Sequence, residues 1–190
     1  IQGPAARRLG QNAYAGVVNI ITKARDEENI LVAGRGGDFG TYALGLGANF
    51  GSKKISNFIQ VNTASSEGYR YNTDYIINNI YYQNEIALQN GKLKFQAGIQ
   101  EKKFGANGFY ASPSATDQYE ETQASIVSLG LNQNFNTIKL NSNIYWRRGQ
   151  DMYEYIRNKP EIYRNMHIGN NIGAELNGTY HSSLGITGLG

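Results

Sequence analysis

Few side chains in this sequence could hold a metal or move a proton. His167 and His181 lie fourteen positions apart with no carboxylate spaced around them, so a metal centre would lack its remaining donors, and both read as wall or loop residues. Cysteine is absent, which removes thiolate ligands, nucleophilic thiols and any disulfide scaffold. Glu120-Glu121 and Asp26-Glu27-Glu28 are runs of carboxylates, yet adjacent residues of a strand face opposite sides, so they decorate loops more readily than they share a proton. No serine has histidine and aspartate partners at a marked spacing. GRGGDFG, residues 34 to 40, has glycines but lacks the lysine, hydroxyl and strand-to-helix context of a phosphate loop, and reads as a tight hairpin. The expectation is no catalytic residue, no metal, no cofactor and no enzyme. What remains is recognition, and the elements must say of what.

Lys plus Arg is 18 against Asp plus Glu at 15, a formal net charge of +3 with no basic run, so nucleic acid is not an expected partner. Charged residues make up 17%, below the ~25% of an ordinary soluble domain, while glycine reaches 23 and tyrosine 14 among 190 residues. No apolar run approaches the ~20 residues of a membrane helix, and the mean hydropathy of −0.49 agrees. A transmembrane barrel would escape that test, because its apolar side chains occupy every second position.

That alternation is present from about residue 30 onward. In TYALGLGANF, Tyr42, Leu44, Leu46, Ala48 and Phe50 share a face against Thr41, Ala43, Gly45, Gly47 and Asn49. In KLKFQAGIQ, Leu93, Phe95, Ala97 and Ile99 oppose Lys92, Lys94, Gln96, Gly98 and Gln100. Ile138, Leu140, Ile144 and Trp146 repeat the pattern with Ser142 as a weak point, and Ile168, Ile172, Ala174 and Leu176 repeat it more faintly. Asn90-Gly91 is a strong hairpin cue; Asn136-Thr137 and GSKK at 51 to 54 mark further short turns. They alternate with longer Gly-, Asn- and Tyr-rich pieces at 66 to 75, 104 to 118 and 149 to 165. The reading is all-β and antiparallel, with eight or nine strands, short turns at one end and long loops at the other. Periodicity leaves open whether the apolar face meets lipid or a protein core. Tyr69, Tyr71, Tyr81, Tyr82, Tyr119 and Tyr145 fit an interfacial girdle or ordinary strand positions equally well.

The first 23 residues differ from all this. Pro4 suits a first helical turn, Gly10 can close it, and VVNII with Thr22 is one compact strand before the polar linker DEEN. GPAARRLGQNAYAGVVNIITK resembles the end of the plug domain of TonB-dependent outer-membrane receptors. It carries the Gly3-Pro4 turn, Ala5 to Arg8 with Arg7 and Arg8, the Gly10, Ala13 and Gly16 element, and a strand with Asn19, Thr22 and Lys23 at its end. EKKFGANGFYASPSATDQYEET, residues 101 to 122, is similar to an early extracellular region of the Bacteroidetes-type members.

The resemblance implies an antiparallel transmembrane β-barrel of 22 strands around a plug, in the outer membrane of a Gram-negative bacterium. It places the end of the plug at 1–25 and the N-terminal portion of the barrel at 26–190, so the expectation is an incomplete barrel, part of a longer receptor. The implied partners are the lipid bilayer, the TonB energy-transducing complex, and a large scarce ligand such as a ferric siderophore, haem or cobalamin. Ligand-contact candidates in the extracellular loops are then Tyr69, Tyr71, Phe104, Asn107, Phe109, Tyr110, Tyr153 and Tyr155. Two rivals stand beside this reading: a passive porin-like or adhesive outer-membrane barrel, and a soluble antiparallel β module that binds a partner.

Overall fold

A computed structural model describes residues 28–110 and 112–190. The expected plug strand, the helical turn before it, every plug-motif residue from Gly3 to Lys23 and the boundary expected near residue 26 lie outside the described residues. The others form nine strands: β1 (Asn29–Gly36), β2 (Tyr42–Gly51), β3 (Ile55–Ser66), β4 (Tyr75–Leu88), β5 (Gly91–Gly105), β6 (Tyr119–Phe135), β7 (Ile138–Glu154), β8 (Arg164–Ser182) and β9 (Gly185–Leu189). They make one antiparallel sheet in chain order, with no helix among the described residues. The sheet is open, and β1 and β9 are its edges.

The connections alternate as expected. At one end they are 52–54, 89–90, 136–137 and 183–184; at the other they are 37–41, 67–74, 106–118 and 155–163. Asn136 takes a φ of +42° in its two-residue turn, a conformation asparagine tolerates because its short amide can bond locally. The Asn90-Gly91 cue locates its hairpin correctly but for a different reason. The loop residues are Gln89 and Asn90, neither with positive φ, and Gly91 is already paired with Leu88 in the ladder. Glycine is needed there because a Cβ would lie 1.9 Å from the Asn132 carbonyl of β6. The expected loop at 149 to 165 is shorter, since β7 runs on to Glu154.

The two faces of the sheet are unlike. Register sets Ile30, Ala48, Ile59, Tyr82, Ala97, Val127, Trp146 and Ile172 side by side across eight strands, on one face. The next row toward the short turns adds Phe50, Phe95, Leu129, Ile144 and Ala174, interrupted by Asn57 and Asn84. This apolar face is the exposed one: Ile172 is 80% accessible, Ile30 79% and Leu46 59%. On the polar face Gln83 is 1% accessible and Asn49 and Ser128 are also buried, whereas the only buried hydrophobic residues described are Ala106 and Ala115, in a loop. No second layer covers the described sheet, so side chains crowd on one face only if the sheet curls around it. The polar face is therefore the concave one.

Hydrogen bonds run along that concave face. Tyr81 donates its hydroxyl to Gln83 Oε1 at 2.9 Å, and Gln83 Nε2 donates to Glu85 Oε1 at 2.9 Å. Lys92 Nζ reaches Glu85 Oε2 at 3.2 Å, Gln96 Nε2 donates to the Tyr81 hydroxyl, and Ser128 donates to Gln96 Oε1 at 3.3 Å. A network of this kind satisfies amides that the curvature has taken out of water. Of the six tyrosines that fitted a girdle or ordinary strand positions equally well, two are ordinary strand residues. Tyr81 and Tyr145 lie on the concave face at mid-strand, where the Tyr145 ring covers Gly173 and the Tyr81 ring approaches Gly98, filling space that glycine leaves.

The boundary of the apolar face toward the long loops drifts. It lies beyond Leu44 in β2, beyond Val61, Ile80 and Ile99 in β3 to β5, and beyond Val127, Trp146 and Ile172 in β6 to β8. Thr63, Asn78, Glu101, Ser125, Arg148 and Asn170 are the first polar residues past it in β3 to β8. Above that line the face still carries Tyr42 in β2, Ile76 in β4, Tyr119 in β6, Met152 in β7 and Met166 and Ile168 in β8.

Candidate functional site

Three of the long loops meet on top of β4 to β8. Loop 67–74 turns on Gly68 and Asn72, with φ of +86° and +52°. Asn72 then joins all three: its Nδ2 donates to the carbonyls of Thr116 and Gln118 at 2.9 and 2.6 Å, and its Oδ1 accepts from Arg157 Nη1 at 3.2 Å. Arg157, in loop 155–163, grips Asp74 with both guanidinium nitrogens at 2.7 and 2.9 Å and lies 4.5 Å from the centre of the Tyr119 ring. The bidentate bonds hold the Asp74 carboxyl below its ordinary pKa and the Arg157 guanidinium above its own. Tyr71 donates to Asp117 Oδ1 at 2.7 Å, which raises the phenol pKa because its proton is the bonded one.

Underneath, Gln118 is fully buried and both ends of its amide are used. Its Nε2 donates to the Tyr153 hydroxyl at 2.5 Å, and its Oε1 accepts from the Tyr110 backbone N–H at 3.2 Å. Around it the rings of Phe109, Tyr110, Tyr153 and Tyr163 stand edge to face in sequence, with centroids 4.7, 5.7 and 6.2 Å apart. Partial burial, and then a hydrogen bond to Glu120, push the Tyr110 phenol upward, so it stays protonated at any ordinary pH.

Beside this aromatic run is a cavity of about 340 Å³. Its walls include Arg70, Lys102, Phe104, Asn107, Phe109 and Tyr110. Lys102 and Phe104 are alternate residues of β5 on its concave face, and the Lys102 ammonium sits 4.4 Å from the Phe104 ring centre. Arg70 is held through its backbone by Thr73 Oγ1, and its Nη2 donates to the Asn107 carbonyl at 3.2 Å.

Of the residues singled out from the sequence, Phe104, Asn107, Phe109 and Tyr110 are brought together at this cavity, and Tyr153 joins Tyr110. Phe104 and Tyr153 stand on strands β5 and β7, not on loops. Tyr69 lies under the Arg70 guanidinium at 5.5 Å, Tyr71 is spent on Asp117, and Tyr155 links to Tyr163 only through a backbone bond at 3.1 Å. Arg70, Lys102, Asp74, Gln118 and Arg157 were not among the expected residues. Lys102 was visible as the next even-numbered, polar-face position after Gln100; the Asp74–Arg157 pair, 83 residues apart, left no local signal. Among the described residues no group of three or more His, Asp or Glu side chains is placed to hold a metal ion.

Fold and site together define an open, single-layer antiparallel sheet, apolar on its convex face, with a ring-lined cationic cavity at its long-loop end. No protein-family model, curated protein or solved structure matches this chain.

Proposed function

We propose that this chain is the first part of the wall of a TonB-dependent outer-membrane receptor, which captures a large scarce ligand at its long-loop end and passes it inward. The observation that carries the reading is the inversion of the faces. An apolar surface spread over eight strands and left uncovered far exceeds the few hundred Å² that a water-facing protein tolerates, so it calls for an apolar neighbour. A bilayer is that neighbour in this reading, and the polar concave face lines the lumen.

Two further features support it. In a barrel the strands tilt, so a horizontal lipid boundary must slip along successive strands. From β2 to β6 the boundary slips two same-face positions, four residues or about 13 Å, across four strand spacings totalling about 19 Å, a tilt of about 35°. Measured on to β8, where it stays level, the tilt is about 25°, roughly 10° short of the ~35–45° of such barrels. In β7 the span from Ile138 to Trp146 covers about 27 Å of strand, or ~21 Å of depth at a 40° tilt, close to the ~25 Å apolar band of outer-membrane barrels. The resemblance of Gly3 to Lys23 to a plug terminus is what selects an energised receptor over a passive or adhesive barrel.

Trp146 is the single tryptophan and lies on the apolar face, so the bilayer part of the proposal can be read directly. In vesicles holding the full natural chain, lipids brominated on their acyl chains should quench its fluorescence and iodide should not. Quenching by iodide instead would place that face in water and favour the soluble module. Energised import is tested in cells that depend on this chain: accumulation of siderophore, haem or cobalamin should cease when the proton gradient is collapsed, and uptake that persists would indicate a passive barrel.

A further inference from the structure

The cavity beside loop 67–74 has a chemical character more specific than a loop surface in general. Arg70 and Lys102 both line it, and neither forms an ion pair with a described carboxylate. No carboxylate lines it; Glu120 and Asp151, which act on Tyr110, are not among its walls. The lining thus carries two cationic residues and no carboxylate, a charge that suits an anion. The other walls are rings: Phe104, Phe109 and Tyr110, with Phe109 76% accessible. A ring as open as Phe109 beside a cavity offers a stacking face, whereas a ring serving only as core would be covered.

Both cations are also pre-positioned. The Arg70 guanidinium spends one N–H on the Asn107 carbonyl at 3.2 Å, which fixes its plane and leaves further donors of its planar fork for a carboxylate or phosphate. The Lys102 ammonium is held 4.4 Å from the Phe104 ring centre, on a strand rather than on a mobile loop. At about 340 Å³ the cavity is at the small end of ligand sites, with room for one ring and its acid group.

We infer that this cavity is a binding site for an acidic, flat-ringed group, an aryl carboxylate or aryl phosphate, with the acid between Arg70 and Lys102 and the ring against Phe104, Phe109 and Tyr110. The inference rests on the proposed receptor reading only for its purpose, by naming what part of a captured ligand enters first. A neutral sugar or a cationic ligand does not meet the charge of the site.

The test measures binding alone, on the full natural chain folded in detergent micelles, with empty micelles as blank. Fluorine NMR would follow 4-fluorobenzoate, its neutral analogue 4-fluorobenzyl alcohol, and displacement by phenyl phosphate or by acetate. Saturable 4-fluorobenzoate binding is expected, about tenfold or more tighter than the alcohol. Phenyl phosphate should displace it, acetate should not at matched concentration, and added salt should weaken it. R70Q and K102M should each weaken binding about tenfold, while K103M, altering the neighbouring lysine on the opposite face, should change it less than about twofold. Equal binding of benzoate and alcohol, no saturable binding at all, or an effect of K103M matching that of K102M would overturn the inference. The ligand comparison needs no variant, so misfolding of R70Q or K102M leaves a decisive result. Failure here would leave the tryptophan-quenching result untouched, and failure there would leave this one untouched.

Discussion

Placing an arginine at Ile59 distinguishes a lipid-facing sheet from a water-facing one with a single residue. Ile59 lies in the middle row of the apolar face between Ala48 and Tyr82, and 39% of it remains accessible in the sheet alone. If that accessible part meets acyl chains, losing the isoleucine forfeits its share of a side chain whose full burial is worth ~2 kcal/mol, or about 0.8 kcal/mol. Arginine near the midplane of such a barrel costs roughly 2–4 kcal/mol more, which brings the total to about 3–5 kcal/mol. Gln60, the next residue, points to the concave face, where its amide makes only a long bond to Asn62 at 3.4 Å. Gln60→Arg should therefore stay within about 1 kcal/mol of the parent. The assay is equilibrium urea unfolding of the full natural chain in lipid vesicles, with both variants compared at an unchanged m-value. If Ile59→Arg lies within about 0.5 kcal/mol of the parent, or if Gln60→Arg costs as much as Ile59→Arg, the apolar face is not in lipid and the reasoning fails.

The remaining predictions concern the loops and turns. Arg157→Ala removes a bidentate pair with Asp74, the bond to Asn72 and the contact with the Tyr119 ring; at about one-third exposure of both partners, a loss of roughly 1–2 kcal/mol is expected. Hydrogen exchange in loops 67–74 and 106–118 should then quicken about fivefold to thirtyfold, with strand amides of β3 unchanged. The same loops should loosen in acid: the Asp74 pKa is lowered in the folded protein, so its contribution is complete above the unfolded value of ~3.9 and is lost as pH falls through the lower folded value, while Arg157 stays charged. Exchange compared at pH 6 and pH 3, corrected for intrinsic rates, checks this. Gly91→Ala should destabilise by about 2–3 kcal/mol, because a Cβ 1.9 Å from the Asn132 carbonyl meets backbone that cannot swing aside, whereas Gly149→Ala, with nothing within 4 Å, should be neutral or slightly stabilising in the same urea assay.

The strands were legible because the apolar period is strict where it matters. Leu44, Leu46 and Phe50, or Leu93, Phe95 and Ile99, could not all share a face under any other local geometry. The alternation of short and long connections was legible for the same reason, since turn residues interrupt the period. The ends of strands were less so: in 149 to 154 the sequence Gly-Gln-Asp-Met-Tyr-Glu has no strict apolar alternation, and the ladder to β6 and β8 extends it where local preference suggests a loop. The tyrosines stayed undecided because a phenol suits both a lipid headgroup layer and a wet concave wall. Only register against Gly98 and Gly173 decides for Tyr81 and Tyr145. The cavity was half legible: its rings stood out as aromatics near strand ends and loops, but its cations are single residues whose meaning depends on segments 37 positions apart in sequence meeting, as Arg70 and Asn107 do.

The drift of the apolar boundary also explains why the site lies where it does. Strand length rises from 8 residues in β1 to 19 in β8, while the boundary falls toward the short turns along the same direction. Both trends raise a mostly polar wall above the apolar face on β6 to β8, broken by Met152, Met166 and Ile168: Tyr119 to Ser125 in β6, Arg148 to Glu154 in β7 and Arg164 to Asn170 in β8. On the concave side of that wall, register aligns Lys102, Thr122, Asp151 and His167 in one row and Phe104, Glu120, Tyr153 and Asn165 in the next. Lys102 and Phe104 of the cavity and Tyr153 of the aromatic run are thus strand residues, held by ladder bonds on both sides, and loop 106–118 only needs to lay Phe109 and Tyr110 against them. The strand-borne half of the site, Lys102 and Phe104, keeps its geometry when the loops that carry Arg70, Phe109 and Tyr110 exchange with solvent. That is why a change at Arg157 should alter loop exchange far more than it alters the position of the Lys102 ammonium.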